Sequence, residues 1–152
     1  VAVETGQAVR TAIYNRVTAD ATMKSVFGQS GSVYMYRVMA PQDCAFPYIV
    51  DRLAMSSPLL HGTHTYFLDL WYYGQSPATV DSAVDRLKIL LGGAADGVEG
   101  WRITTGDSEI GGGIMHWFSG GYIPTDAENV WHYATQWSIR FGAARDISNI
   151  IG

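Results

Sequence analysis

His64-Thr65-Tyr66-Phe67-Leu68-Asp69-Leu70-Trp71-Tyr72-Tyr73 is the stretch that decides the fold. Successive side chains of a strand point to opposite faces. Tyr66, Leu68, Leu70 and Tyr72 therefore share one face, and Thr65, Phe67, Asp69, Trp71 and Tyr73 share the other. Both faces are largely apolar, so this strand belongs near the middle of a sheet covered on both sides. Helices of the same chain are expected on one side, and a neighbouring subunit can supply the other.

Downstream, the sequence predicts a helix over Pro77 to Leu91. Val80, Val84, Leu87 and Leu91 form one stripe, filled in by Ala83, while Asp81, Asp85 and Lys88 lie opposite. Ser76 is placed to cap it, Pro77 suits its first position, and Gly92-Gly93 ends it. Upstream, Val9, Ala12, Ile13, Arg16 and Val17 define a helical stripe within Glu4 to Met23, and that helix should stop before Gly28. Val33 to Val38 reads as a first strand, Pro41 to Phe46 as a polar turn, and Tyr48 to Met55 as a second strand entered through Pro47. Ser56 to Gly62 is a connection. In the last third, Gly100 to Thr105, Ile114 to Tyr122 and Asn129 to Phe141 are strand-like. Trp131, Tyr133, Trp137, Ile139 and Phe141 point one way from the final strand, and His132, Ala134, Gln136, Ser138 and Arg140 the other. The order α-β-β-β-α-β-β-β describes an α+β fold: an antiparallel, sandwich-like sheet with two helices packed on one face. Residues 1–152 are expected to form a single domain.

Composition narrows the function. The 152 residues are 47% hydrophobic and 16% charged, which opposes disorder and suggests that uncharged surface is covered by other subunits. A net charge of −4 argues against a dedicated nucleic-acid binder. The nineteen aromatics are not accompanied by a basic groove, since two lysines and eight arginines are scattered along the chain. The single cysteine, Cys44, can form neither an internal disulfide nor a thiolate cage, and it reads as a half-buried loop thiol. No run reaches the roughly 18 apolar residues of a membrane helix, and no signal segment opens the chain. A soluble, non-secreted protein is the expectation.

Catalytic patterns are weak. His61 and His64 sit at i and i+3, a spacing that splits them between two strand faces, and His116 and His132 fall on later strands. No recognisable zinc spacing emerges. No G-x-S-x-G elbow precedes a helix. Gly111-Gly112-Gly113 leads into a strand, without the helix that a phosphate-binding loop requires. Asp69, flanked by leucines, is read as the partner of Arg52 or Arg140, or as a polar lining of a subunit interface. No catalytic residue, metal or cofactor is expected.

Ala8 to Asp20, Val33-Tyr34, Phe46-Pro47-Tyr48-Ile49-Val50, Thr63-His64 leading into Phe67-Leu68-Asp69-Leu70-Trp71, the helix of Val80 to Leu91, and Trp137-Ser138-Ile139-Arg140-Phe141 follow one another along the chain. In this colinear order the chain resembles the tail-completion, or tail-terminator, family of long-tailed bacteriophages, prophages and gene-transfer agents. The resemblance covers about residues 8–141 and departs between Gly92 and Pro124, which is longer and richer in glycine than a plain hairpin needs. It implies a virion protein, assembled in the host cytoplasm, that forms a hexameric ring at the head-proximal end of the tail. Such a ring ends tube growth and joins the tail tube protein to the head connector or stopper, with DNA passing through the lumen without specific binding. It brings no catalytic residues and no membrane contact. Two alternatives stand beside it: another neck or tail ring component, such as a connector or tube protein, and a small metal hydrolase built from His61, His64, His116, His132 and Asp69.

The stretch from Thr105 to Gly113 is the candidate docking loop. Its glycines add conformational freedom, Asp107, Ser108 and Glu109 make its tip polar, and Ile110 offers an apolar anchor.

Overall fold

Asp20 divides the expected first helix in two. The computed structural model describes residues 5–54, 63–103 and 113–141, and its chain begins with α1 (Thr5–Thr18) and α2 (Ala21–Phe27). The Asp20 carboxylate accepts the Met23 N–H at 2.9 Å, so an aspartate that would be neutral at best inside a helix starts a new one instead. Gly28, at φ 67°, closes α2 in the left-handed conformation with its N–H on the Lys24 and Ser25 carbonyls. Three strands follow, β1 (Met35–Arg37), β2 (Tyr48–Ala54) and β3 (Thr63–Tyr73), then α3 (Ala78–Gly92), and finally β4 (Trp101–Arg102), β5 (Gly113–Ile123) and β6 (Val130–Phe141). The described part thus has three helices where two were expected. No described helix is long and apolar enough to cross a membrane.

The six strands form one sheet in the order β1-β2-β3-β6-β5-β4. It is mixed, not purely antiparallel: β1 runs parallel to β2, and every other pair is antiparallel. The class is α+β as the element order indicated. The parallel step arises because β1 and β2 are joined by a connection that doubles back along the sheet edge, not by a tight hairpin. At the edge, Val38 takes φ 69° and the Met39 N–H reaches back to the Arg37 carbonyl at 2.7 Å. This is a γ-turn of the rare, strained kind, with a β-branched residue at its centre. It ends β1 after three residues and leaves Val38 and Met39 59% and 75% exposed.

The helices cover one face. Tyr66, Leu68 and Leu70 of β3, Trp137 and Ile139 of β6, and Met115 of β5 are buried with Val9, Ile13 and Val17 of α1, Met23 of α2, and Val84, Leu87 and Leu91 of α3. Polar groups inside this layer are mostly tied. The Trp137 indole N–H donates to Thr135 Oγ1, whose own hydroxyl donates to the Leu68 carbonyl, both at 2.8 Å. The buried Tyr66 hydroxyl donates to the Asp51 carboxylate. Burial pushes the Asp51 carboxyl up against the opposing pull of Tyr66, Arg10 and Arg37, and it pushes the Tyr66 hydroxyl well above its usual range, with the facing carboxylate adding to the shift. Asp51 Oδ1 and Arg10 Nε are buried without a hydrogen-bond partner among the described residues.

One close approach ties the segment after α3 to β5. Gly97, at φ 73°, accepts the Trp117 N–H on its carbonyl at 2.9 Å, and a Cβ there would lie 2.5 Å from Trp117 Cβ. A register shift between Trp117 and Ser119 makes Phe118 an extra residue, 64% exposed.

Candidate functional site

The face of the sheet turned away from the described helices is the candidate interaction surface. Alternation along the strands fixes its membership. In β3 the expected division holds, with Tyr66, Leu68 and Leu70 buried and Phe67, Asp69 and Trp71 half-buried on the other side. Directly paired residues share a face, so the register Tyr48↔Trp71↔His132↔Ile123 sets one row across four strands. The next row is Val50↔Asp69↔Ala134↔Gly121.

Aromatic rings run across that face. The His132 imidazole stacks on Trp71 with centroids 3.8 Å apart and planes 12° off parallel. Trp71 continues to Tyr48 at 6.2 Å, and Tyr48 meets Tyr36 edge-on at 6.1 Å and Phe46 at 5.3 Å. Phe46 in turn lies 6.2 Å from Tyr73, which is 58% exposed. Contiguous exposed apolar area is the usual character of an interaction surface, which makes this face the candidate.

Its charges are ordered too. Asp69 is paired with His132, Nε2 to Oδ2 at 3.0 Å, and not with Arg52 or Arg140 as the sequence suggested. The reason is register: Arg140 pairs with Thr63, six residues from Asp69 along β3, whereas His132 is the diagonal neighbour. Arg52 instead lays its guanidinium over the Phe67 ring at 4.1 Å. Arg102, opposite Ile114, and Arg140, opposite the same Ile114, emerge on this face as well. All three arginines are exposed. Among the described residues no carboxylate lies within ion-pair distance of any of them. The arginines that look scattered in the chain thus gather on one face, a feature the sequence analysis missed.

The outer side of α3 has the opposite sign. Asp81 and Asp85 are exposed one turn apart, with Ile89 one turn further and 40% exposed. The Tyr122 hydroxyl donates to Asp81. Burial, then this carboxylate, drives the Tyr122 hydroxyl far up, and Tyr133 is raised by burial and by Asp81 and Asp85. The cations of α3 are engaged elsewhere: Arg86 makes a two-pronged bond to Asp20, and Lys88 sits over the Trp117 ring at 4.4 Å.

The histidine set of the hydrolase alternative is not assembled. His64 is buried on the helix side and His132 is on the opposite face. His116 pairs with Ser138, six residues along β6 from His132, a separation of about 20 Å. His61 lies outside the described residues. His132 Nε2 faces Asp69, but no hydroxyl or thiol among the described residues hydrogen-bonds to the ring. Among the described residues no group of three metal-binding side chains converges.

Asp107, Ser108, Glu109 and Ile110 of the candidate docking loop also lie outside the described residues. Their flanks are placed, with the Ile103 N–H donating to the Gly113 carbonyl at 2.7 Å. The pairs Ala54↔Thr65, Thr63↔Arg140 and Gly113↔Phe141 put the ends of β2 and β6 and the starts of β3 and β5 at that same end of the sheet.

No protein-family model matches the chain, and no curated protein matches it in sequence. A solved structure does match in three dimensions. Its fold is shared with a chain from the virion of a native gene transfer agent particle. The two superpose with a TM-score of 0.65 over 92% of this chain and 98% of that one, at 14% sequence identity. The likeness therefore spans nearly all of both chains and resides in architecture, not in shared residues.

Proposed function

We propose that this chain is a structural subunit of a phage-like virion, building a ring at the head-proximal end of the tail. The observation that carries the reading is the sheet face left bare by the described helices, with Tyr48, Trp71 and Tyr73 on it. Exposed aromatic area of this extent is stabilised by covering it, and copies of the same chain arranged in closed cyclic symmetry cover it without forming an open fibre. The whole-length likeness to a virion chain supports the same assignment. In this reading the ring has six copies. One rim meets the tail tube protein and the other the head connector or stopper, and DNA crosses the lumen without specific binding. The protein is not an enzyme.

The end of the sheet shared by Ala54, Thr63, Gly113 and Phe141 is the rim that meets a neighbouring virion protein, and Asp107, Ser108, Glu109 and Ile110 belong to its docking loop. Imaging particles by electron microscopy and locating this subunit along the head–tail axis tests the assignment. A closed ring between tube and connector is expected. A single copy, or a stack repeated along the tail, defeats it.

A further inference from the structure

From the charge on the two layers we infer that the ring closes head to tail, the bare sheet face of one copy lying on the outer side of α3 of the next. This inference rests on the ring reading and specifies its contact. The sheet face carries exposed Arg52, Arg102 and Arg140, while its one carboxylate in the aromatic rows, Asp69, is held by His132. The solvent side of α3 carries exposed Asp85, and exposed Asp81 on its flank accepts the Tyr122 hydroxyl, while Arg86 and Lys88 of that helix are committed to Asp20 and Trp117. The two surfaces lie on opposite faces of the sheet. They cannot meet within one copy, and each can meet its complement on another.

The same charges disfavour the simplest alternative. A two-fold dimer through the sheet would set the arginine-bearing face against itself, and like charges facing one another penalise association. Head-to-tail contact pairs unlike faces. It places the Tyr48–Trp71–His132 row against the helix surface that exposes Ile89, with the arginines and aspartates at the periphery. An apolar centre with a polar rim is the usual anatomy of a stable interface.

Charge reversal tests this in the particle-producing host with the gene deleted, using the full chain. One variant carries Arg102→Glu and Arg140→Glu, and its two contact faces are then both acidic. The second carries Asp81→Lys and Asp85→Lys, and its faces are both basic. Each alone should lower the number of particles bearing the ring at least tenfold. Asp81→Lys also removes the Tyr122 hydrogen bond, so Asp85→Lys alone serves as the milder form. Co-expression of the two variants should restore rings to within about twofold of wild type, because in an even-membered ring they alternate and every contact pairs unlike charges. All four substitutions in one chain should restore them too, which also shows that the reversed surfaces are compatible with folding.

Rings that persist in both single-face variants overturn the inference. So does the absence of rescue when both variants are folded by circular dichroism and present in the cell. Rescue by co-expression but not by the fourfold variant overturns it as well, since head-to-tail contact requires both. These outcomes leave wild-type rings, and hence the ring reading, intact. If wild-type particles contain no ring of this subunit, the ring reading itself falls and the contact falls with it.

Discussion

Removing the Asp20 carboxylate should cost the fold more than an ordinary surface substitution, because this one side chain performs two tasks. It caps α2 by accepting the Met23 N–H, and it accepts Arg86 Nε at 2.9 Å and Arg86 Nη2 at 2.8 Å, tying α3 to the α1–α2 junction. Loss of a helix cap costs about 1 kcal/mol. The bidentate pair adds about 1–1.5 kcal/mol, above the value of an exposed pair and below that of a buried one. The side chains of Arg86 and Asp20 are 27% and 13% exposed, so solvent screens the pair only in part. Asp20→Ala should therefore lose about 2–2.5 kcal/mol, which lowers the melting temperature of a domain this size by about 4–10 °C. Asp20→Asn keeps a capping oxygen and should lose only the ionic part, about 1 kcal/mol. Urea unfolding followed by circular dichroism reads these values, and a double-mutant cycle with Arg86→Ala isolates the pair.

The pH dependence has a definite sign. The Arg86 hydrogen bonds are the main influence holding the Asp20 carboxyl below its usual value, against burial and with help from the Met23 N–H. A depressed carboxyl contributes stability that is present above the unfolded value, about 3.9, and is lost as pH falls through the folded value. The gap between wild type and Asp20→Asn should thus be open at pH 7 and close in acid below pH 4. Equal stability of the two at pH 7, or a gap unchanged at pH 2, refutes the reasoning.

Asp51 should show the opposite slope. Its carboxyl is raised chiefly by burial, so the associated stability is full below the unfolded value and declines as pH rises through the folded one; urea midpoints of wild type minus Asp51→Asn from pH 3 to 7 should trace that decline. Thr135→Val strands the buried Trp137 N–H and removes the donor to the Leu68 carbonyl, at about 1–3 kcal/mol, while Thr135→Ser should recover most of it in the same urea assay. Trp71→Ala removes ring contacts on the bare face and should cost the isolated chain only about 1–2 kcal/mol, yet abolish incorporation into particles; normal incorporation would count against the proposed function.

Local pattern carried the sequence analysis a long way, and its failures have a common cause. The stripe Val80, Val84, Leu87, Leu91 and the alternation of His64 to Tyr73 are properties of neighbours along the chain, and α3 and β3 fall where they indicate. The split between α1 and α2 was also local, but the signal was a single aspartate inside an otherwise helical stripe, and the stripe outweighed it. What alternation along one strand cannot convey is which residues of different strands meet. Arg52, Arg102 and Arg140 stand on β2, β4 and β6, and only the register through Ile114 and Phe67 brings them to one face. The same register decides the partner of Asp69. His132 and Arg140 lie on the same side of β6, so alternation could not choose between them, and eight steps of the ladder separate the two positions. The parallel β1–β2 pair was hidden for a related reason: the length of the intervening segment permits either direction, and the choice is made by how the edge strand meets β2. The bare face is thus a property of strand pairing, and pairing is also what leaves it uncovered by the described helices. Those helices are already committed to the opposite side, where Leu68, Leu87 and Trp137 are fully buried.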